Sequence, residues 1–426
     1  MLRSGLCCTA FVSLLFLSRV ACASTTIAGG SLDGAQTWTA AASPYFVQGD
    51  VTVPSGASLI IEPGTEVQFA TGDALASGTD TNRVEFIIKG SLLAHGTARS
   101  PITFHAQGGP GANAWYGIVI DAEATSASLQ YVDIEDANNG VTSAAPGGVL
   151  ELSSSTLHNN VAGVWLNAGQ PVLTDLLLSN NTAYGIFVLA NAADAGFSLT
   201  NSVAKFNGSY GVYVISALGH AATASILNST IHGNVSAGVT SKASGLGSRA
   251  QVTLCNSIVS SNGILGIDSS ASDEAVVSFN ATYSDVWSNG MDYSGSGPGD
   301  GCFSLDPGYL NAPDDLRLQA TSPCVDHGTG SGAPVFDLLG RGRPQGAGVD
   351  VGAYEYVPSD DFSAGEAGDS AGGAAGAAGT AGAARTGPTR AGSGCSCSSA
   401  GSSDPHALPW LALSALALFG RRVRRR

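Results

Sequence analysis

The chain has 426 residues, 57 of them Gly, with 44% hydrophobic and only 12% charged side chains and a formal net charge of −15. That is ample apolar material for a long core, which excludes an acidic disordered protein, while the composition is too poor in Leu, Glu and Lys for a helical bundle. An acidic body repels nucleic acid and acidic glycans, and leaves neutral sugars, cations or other proteins as partners.

The first 23 residues carry a basic Arg3, an apolar run from Leu6 through Leu17, and small residues at Ala21 and Ala23. This spacing predicts a secretory signal peptide cut between Ala23 and Ser24. The competing reading makes Cys22 a lipoprotein acylation site, but Arg19 then stands where an aliphatic residue is wanted. Export follows, with the cell surface, the outer membrane or release as destinations.

From Thr37 the text runs through three short strands at 51–53, 59–61 and 67–69, separated by Pro-Ser-Gly and Glu-Pro-Gly turns. Strands this short, joined by tight turns, describe one coil of a solenoid. Residues 25–46 are expected to cap its open end, because unpaired strand edges invite association.

Between residues 127 and 288 a pattern of polar residue, three spacers, Gly and Val or Ile recurs, as in "NNVAGV", "NTAYGI" and "NGSYGV". Its glycines are Gly140, Gly163, Gly185, Gly211, Gly238 and Gly266, at steps of 23, 22, 26, 27 and 28 residues. Such a period means coils that cannot bury their apolar faces alone. The pieces between, such as "FSLTNSV", "ASILNSTI" and "QVTLCNSIV", have no helical periodicity, which favours a parallel β-helix over leucine-rich repeats. Stacked coils about 4.8 Å apart would align Asn159, Asn181, Asn207, Asn234 and Asn262 at one corner as a structural amide ladder.

Residues 37–356 resemble the secreted bacterial right-handed parallel β-helix proteins of the pectin-lyase-like superfold. The resemblance implies an all-β solenoid of about ten coils within residues 24–357. In "LRLQ" and "VDVGAYEY" it implies terminal coils that close the barrel, with Arg341, Arg343, Asp350 and Glu355 as cap salt bridges. It does not imply one activity, since the superfold carries many. Lyases of this fold need clustered carboxylates for calcium and a Lys or Arg base, yet only Lys205, Lys242 and Arg249 lie between Gly140 and Asn289. The Asn-Thr-Asp, Asp-Asp, Gly-His-Gly and Arg-Ile-Lys motifs of the galacturonan hydrolases are not found as a set.

Residues 358–394 form a Gly/Ala/Ser tract with no periodic apolar face, expected to be a disordered tether. Beyond it come the pair Gly394 and Cys395, an apolar run from Ala407 to Phe419, and a cluster of arginines. Together these resemble the MYXO-CTERM sorting signal of myxobacteria and relatives, which implies Cys395 as the processing and anchoring residue and the cell envelope as a partner. The alternative is an ordinary tail anchor with positive-inside arginines.

Export and an even pair of cysteines predict a disulfide between Cys302 and Cys324, closing a loop of about 22 residues worth roughly 3 kcal/mol. Cys255 is expected in the core. No cofactor is expected, and the single "GSGPGDG" around Asp300 supports no structural Ca2+ site. His158 and His232, just ahead of the Asn corner in their repeats, read as surface or turn residues.

Two functions stay open. One is a non-catalytic surface module with a structural, adhesive or carbohydrate-contacting role, binding glycans or other surface proteins. The other is a carbohydrate-active enzyme, a lyase, hydrolase or epimerase, with a site built across coils from acids such as Asp121, Asp133, Glu135, Asp136, Glu151 and Asp175. An exposed strip of aromatic, acidic and basic residues on one face would separate them, and Trp115, Tyr116, Trp165, Tyr184, Tyr210 and Trp287 are its aromatic candidates.

Overall fold

A computed structural model describes residues 24–358. The signal-peptide cleavage site apart from Ser24, the tether and the sorting segment with Gly394 and Cys395 lie outside the described residues. Within them, no helix is long and apolar enough to cross a membrane.

Alternation explains the strands. In Ile102–Ala106, Ile102, Phe104 and Ala106 point inward while Thr103 and His105 point outward. The next coil repeats this with Val132 beside Ile102 and Ile134 beside Phe104. Every third strand pairs in parallel in this way, giving three long sheets of 11, 11 and 10 strands: a right-handed parallel β-helix. The first sheet runs from Thr25–Ile27 to Asp285–Trp287, the second from Gly30–Ser31 to Tyr293–Ser294, and the third from Ala35–Trp38 to Val276–Thr282. Residues 25–46, expected as a cap, thus supply a complete first coil.

Two corners are built by polar ladders. Where the first sheet turns into the second, a residue in the left-handed region precedes a buried Asn. Asn159, Asn180, Phe206, Gly233 and Ser261 hold the first position, with φ of 55–65°. Asn160, Asn181, Asn207, Asn234 and Asn262 hold the second and are at most 1% exposed. The Asn207 Oδ1 accepts from the Asn181 backbone N–H at 3.2 Å and from its Nδ2 at 2.9 Å. Its own Nδ2 donates to Asn234 Oδ1 at 2.9 Å and to the Leu178 carbonyl at 3.2 Å. Asn289 extends the ladder, and Asp292 Oδ1 ends it. The expected member Asn159 is displaced by its neighbour Asn160. Asn tolerates the left-handed conformation, so in this Asn-Asn pair the first residue makes the turn and the second enters the ladder.

The corner from third to first sheet carries a second, serine ladder. Asn201, Asn228 and Asn256 take the left-handed position, and Ser202, Ser229 and Ser257 follow. Each hydroxyl accepts the backbone N–H of the equivalent residue one coil earlier, Leu176 N–H on Ser202 Oγ at 3.0 Å, Ser202 N–H on Ser229 Oγ at 3.2 Å and Ser229 N–H on Ser257 Oγ at 3.1 Å.

Inside, the early coils stack large rings: Trp38 on Tyr45 at 4.8 Å between centroids, and Phe69 on Trp115 at 3.9 Å. The later coils fill the same space mainly with Leu, Ile, Val and Ala, with Phe197 as a buried ring among them.

Residues 300–303 pair with the last strand of the first sheet, Phe303 beside Asp285, but residues 304–357 do not continue as coils. They fold back along the outer face of the first sheet, where Leu316, Leu318, Cys324, Val351 and Ala353 bury Val203 and Ile258 in a second core. Polar anchors hold this segment down, including Asn256 Nδ2 to the Thr329 carbonyl at 2.8 Å and Asn228 Nδ2 to the Asp350 carbonyl at 3.1 Å. The reason is that these coils turn apolar residues outward at Val203 and Ile258, which need a cover. Of the expected ion pairs, Arg343 meets Glu355, fully buried at 2.8 Å, and Arg341 donates to the Glu355 carbonyl at 3.3 Å. Asp350 accepts the Asp326 backbone N–H at 2.7 Å.

The thiols of Cys302 and Cys324 are free, against the expected disulfide. They belong to different cores: Cys302 packs on the main barrel, whereas Cys324 lies in the second core and donates to Asp285 Oδ2 at 3.6 Å. Cys255 also departs from expectation. It follows the inward Leu254 on its strand and so faces outward, half-buried.

Candidate functional site

Parallel in-register stacking places equivalent residues of successive coils side by side, so any outward side chain repeated in the sequence becomes a row. On the second sheet one row reads Thr142, Trp165, Phe187, Tyr213, Thr240 and Asp268. A parallel row sets Tyr184 beside Tyr210. Five aromatic rings on three consecutive coils therefore share one outer face.

The rings brace each other. Within their strands Tyr184 stacks on Phe187 at 4.8 Å and Tyr210 on Tyr213 at 4.4 Å. Between coils Trp165 meets Phe187 at 4.2 Å with planes 59° apart. The indole is oriented by its Nε1 donating to Asn167 Oδ1 at 2.9 Å. Phe187 is the buried floor, and Trp165, Tyr184, Tyr210 and Tyr213 are half-buried around it. Burial, then the neighbouring phenols, push the Tyr213 and Tyr184 phenols up, so both remain neutral donors. At the far end Lys242 Nζ lies 3.6 Å from Asp268 Oδ2 and 5.8 Å from the Tyr213 ring. Between them the Thr240 Oγ1 is buried without a partner. Such a surface offers ring faces to the C–H sides of a sugar, with hydroxyl, amine and carboxylate groups at its margin.

The third sheet presents a shallow groove of neutral hydrogen-bonding side chains: Gln170, Ser198, Thr223, Ser225, Gln251 and Thr253. Thr223 Oγ1 donates to Gln170 Oε1 at 3.0 Å. No acid or base stands among its lining residues.

Of the aromatic residues singled out by sequence, Trp165, Tyr184 and Tyr210 meet in the patch. Trp115 lies wholly inside the barrel, with its Nε1 donating to the Glu135 carbonyl at 2.8 Å. Tyr116 is half-buried and its phenol is pushed up by burial and by Glu85. Trp287 belongs to the first sheet. Phe187 and Tyr213 were missed, although "YGIFV" and "YGVYV" repeat an aromatic residue three places after Tyr, which on a strand with one extended glycine brings two rings to one face.

The acids do not gather at the patch. Asp133 sits on the first sheet with Glu135 and Asp136 just beyond its strand, Glu151 is exposed on the third, Asp121 faces Lys89 at 4.0 Å, and Asp175 occupies a left-handed corner. Lys205 reaches the Pro313 carbonyl at 3.4 Å, and Arg249 is exposed on the third sheet. His158 Nε2 pairs with Asp133 Oδ1 at 3.0 Å, whose carboxylate holds the imidazole above its ordinary pKa. His232, expected at the surface, is buried under Tyr309 and pushed down to about 4 by that burial.

No family model and no curated protein matches the chain. Among solved structures it is similar to the crystal structure of pectate lyase Pel9A, at 14% identity over 71% of this chain and 88% of that one, with a TM-score of 0.33.

Proposed function

We propose that this chain is an exported, surface-held β-helix module that contacts neutral carbohydrate without catalysis. The observation that carries the reading is the aromatic patch on the second sheet, where rings from three consecutive coils stand in register and facing outward. The acidic body argues against acidic glycans, and the Gly-Cys, apolar and arginine segments at the end of the chain argue for retention at the cell envelope. The enzyme reading has one acid and one base to draw on at the patch, Asp268 and Lys242, and these are paired with each other.

A glycan array probed with the mature protein tests this, followed by product analysis of each hit. Binding of neutral glycans without new reducing or unsaturated ends is expected, with about tenfold loss in Trp165→Ala and Tyr213→Ala and retained folding. Failure to bind any neutral glycan, or turnover of a bound one, would overturn the reading. Intact-mass measurement of the surface protein addresses its delivery: the expected mature chain starts at Ser24 and lacks the arginine tail.

A further inference from the structure

Where the returning C-terminal segment leaves the first sheet uncovered, a second cluster lies on the open face. We propose that His105, Glu135 and Asp136 form a binding site for a divalent transition-metal ion such as Zn2+. One imidazole nitrogen of His105 and one carboxylate oxygen from each acid lie within 4.8 Å of one another. The fold makes this placement: Phe104 pairs with Ile134, so His105 stands beside Glu135 on adjacent coils, and Asp136 turns in at the corner with φ 66°.

One feature beyond the donor set calls for a cation there. Asp136 is only 4% exposed, yet its Oδ2 has no hydrogen-bond partner. A carboxylate oxygen so placed is costly unless a positive group faces it. The His105 ring, in turn, has acceptors at both nitrogens, the Ala106 carbonyl at 3.1 Å from Nδ1 and Glu66 Oε1 at 3.0 Å from Nε2. A metal ion takes the lone pair of a neutral imidazole, so the nitrogen that turns to the ion gives up its contact while the other keeps its N–H donated.

Around the cluster stand two further carboxylates and one imidazole. Glu66 comes from the preceding coil, Asp133 from the strand that ends just before Glu135, and His158 from the following coil, with its Nδ1 3.8 Å from Glu135 Oε2. Among the described residues no Lys or Arg is ion-paired with Glu66, Asp133, Glu135 or Asp136. One imidazole with two carboxylates is a nitrogen and oxygen donor set that suits zinc-class ions better than calcium, which takes six or more oxygens. The site is independent of the aromatic patch, so glycan binding and metal binding succeed or fail separately.

The test uses the full chain stripped with chelator and titrated with Zn2+ by calorimetry, with Co2+ absorption to report the ligands. One site is expected, weakened at least tenfold by Glu135→Gln and by Asp136→Asn, with a Co2+ spectrum of nitrogen and oxygen ligation. In chelator, Asp136→Asn is expected to melt at or above the parent temperature, because it removes an unpaired charge. With Zn2+ it is expected to melt below. Absence of Zn2+ binding, binding indifferent to Glu135→Gln, thiolate charge-transfer bands with Co2+, or tighter Ca2+ than Zn2+ binding would each overturn the proposal. Equal destabilisation of Asp136→Asn with and without zinc would assign the residue a purely structural role and overturn it as well.

Discussion

The early and late coils of this solenoid hold their register by different means. Up to Trp115 the interior is a pile of aromatic rings, Trp38, Tyr45, Phe69, Phe86 and Trp115, and the first-to-second-sheet corner has no amide ladder. From Asn160 to Asn289 the interior is mostly aliphatic, with Phe197 among the few rings, and the two corners are threaded by buried amides and hydroxyls. Aromatic stacking fixes coils through shape and area, whereas a ladder fixes them through direction, since a slip of one residue strands every donor along the corner. The outer surfaces differ too. The late first-sheet face is closed by residues 304–357, while the early face stays open with its histidines and carboxylates.

If rings carry the early coils, Trp115→Ala should give the largest effect. It removes a fully buried indole stacked at 3.9 Å on Phe69, and a loss of about 3–5 kcal/mol is expected from denaturant unfolding. A loss under about 1 kcal/mol would show that packing there is not decisive.

If amides carry the late coils, Asn207→Leu should follow closely. It leaves the Asn181 N–H and Nδ2, the Leu178 carbonyl and Asn234 Oδ1 short of partners inside the stack. At about 1–3 kcal/mol for each buried group left unpaired, moderated by relaxation, a loss of about 3 kcal/mol is expected in thermal unfolding. An unchanged melting temperature would remove the ladder from the account.

The closed face can be probed by pH. Asp285 is fully buried beneath the returning segment, and burial raises its pKa from 3.8 to about 7 against the opposing Leu305 N–H and Cys324 thiol. Because the folded value exceeds the unfolded one, the protonated acid favours the folded state below the unfolded pKa. That contribution is lost as pH rises through about 7. Asp285→Asn should therefore gain stability relative to the parent between pH 4 and pH 8, read as the difference of melting temperatures. A constant difference would place the titration elsewhere.

The smallest effect belongs to Asn159. Outside the ladder, exposed, and at φ 55°, it should accept Gly with a change of a few tenths of a kcal/mol at most. A loss matching that of Asn207→Leu would restore Asn159 to the ladder in place of Asn160.

The recurring Gly-Val and Gly-Ile steps determined the β-helix, because a backbone stacked every 4.8 Å leaves room only for short strands, small corners and alternating apolar residues. They also located Asn181, Asn207, Asn234 and Asn262, whose places relative to the glycine are unambiguous. At 159–160 the sequence offers two asparagines, and only the backbone decides which one turns and which one stacks. The "NS" pairs at 201, 228 and 256 were visible as strand pieces, yet their meaning as a hydroxyl ladder depends on hydrogen bonds between coils 27 and 28 residues apart. Chain order suggested that the last residues close the barrel and that Cys302 joins Cys324. Tertiary packing decided otherwise, since the outward Val203 and Ile258 draw the segment back along the first sheet and divide the two cysteines between two cores. The aromatic patch and the His105, Glu135 and Asp136 cluster lie in the same category: each residue is ordinary on its own strand, and the stacking register brings them together.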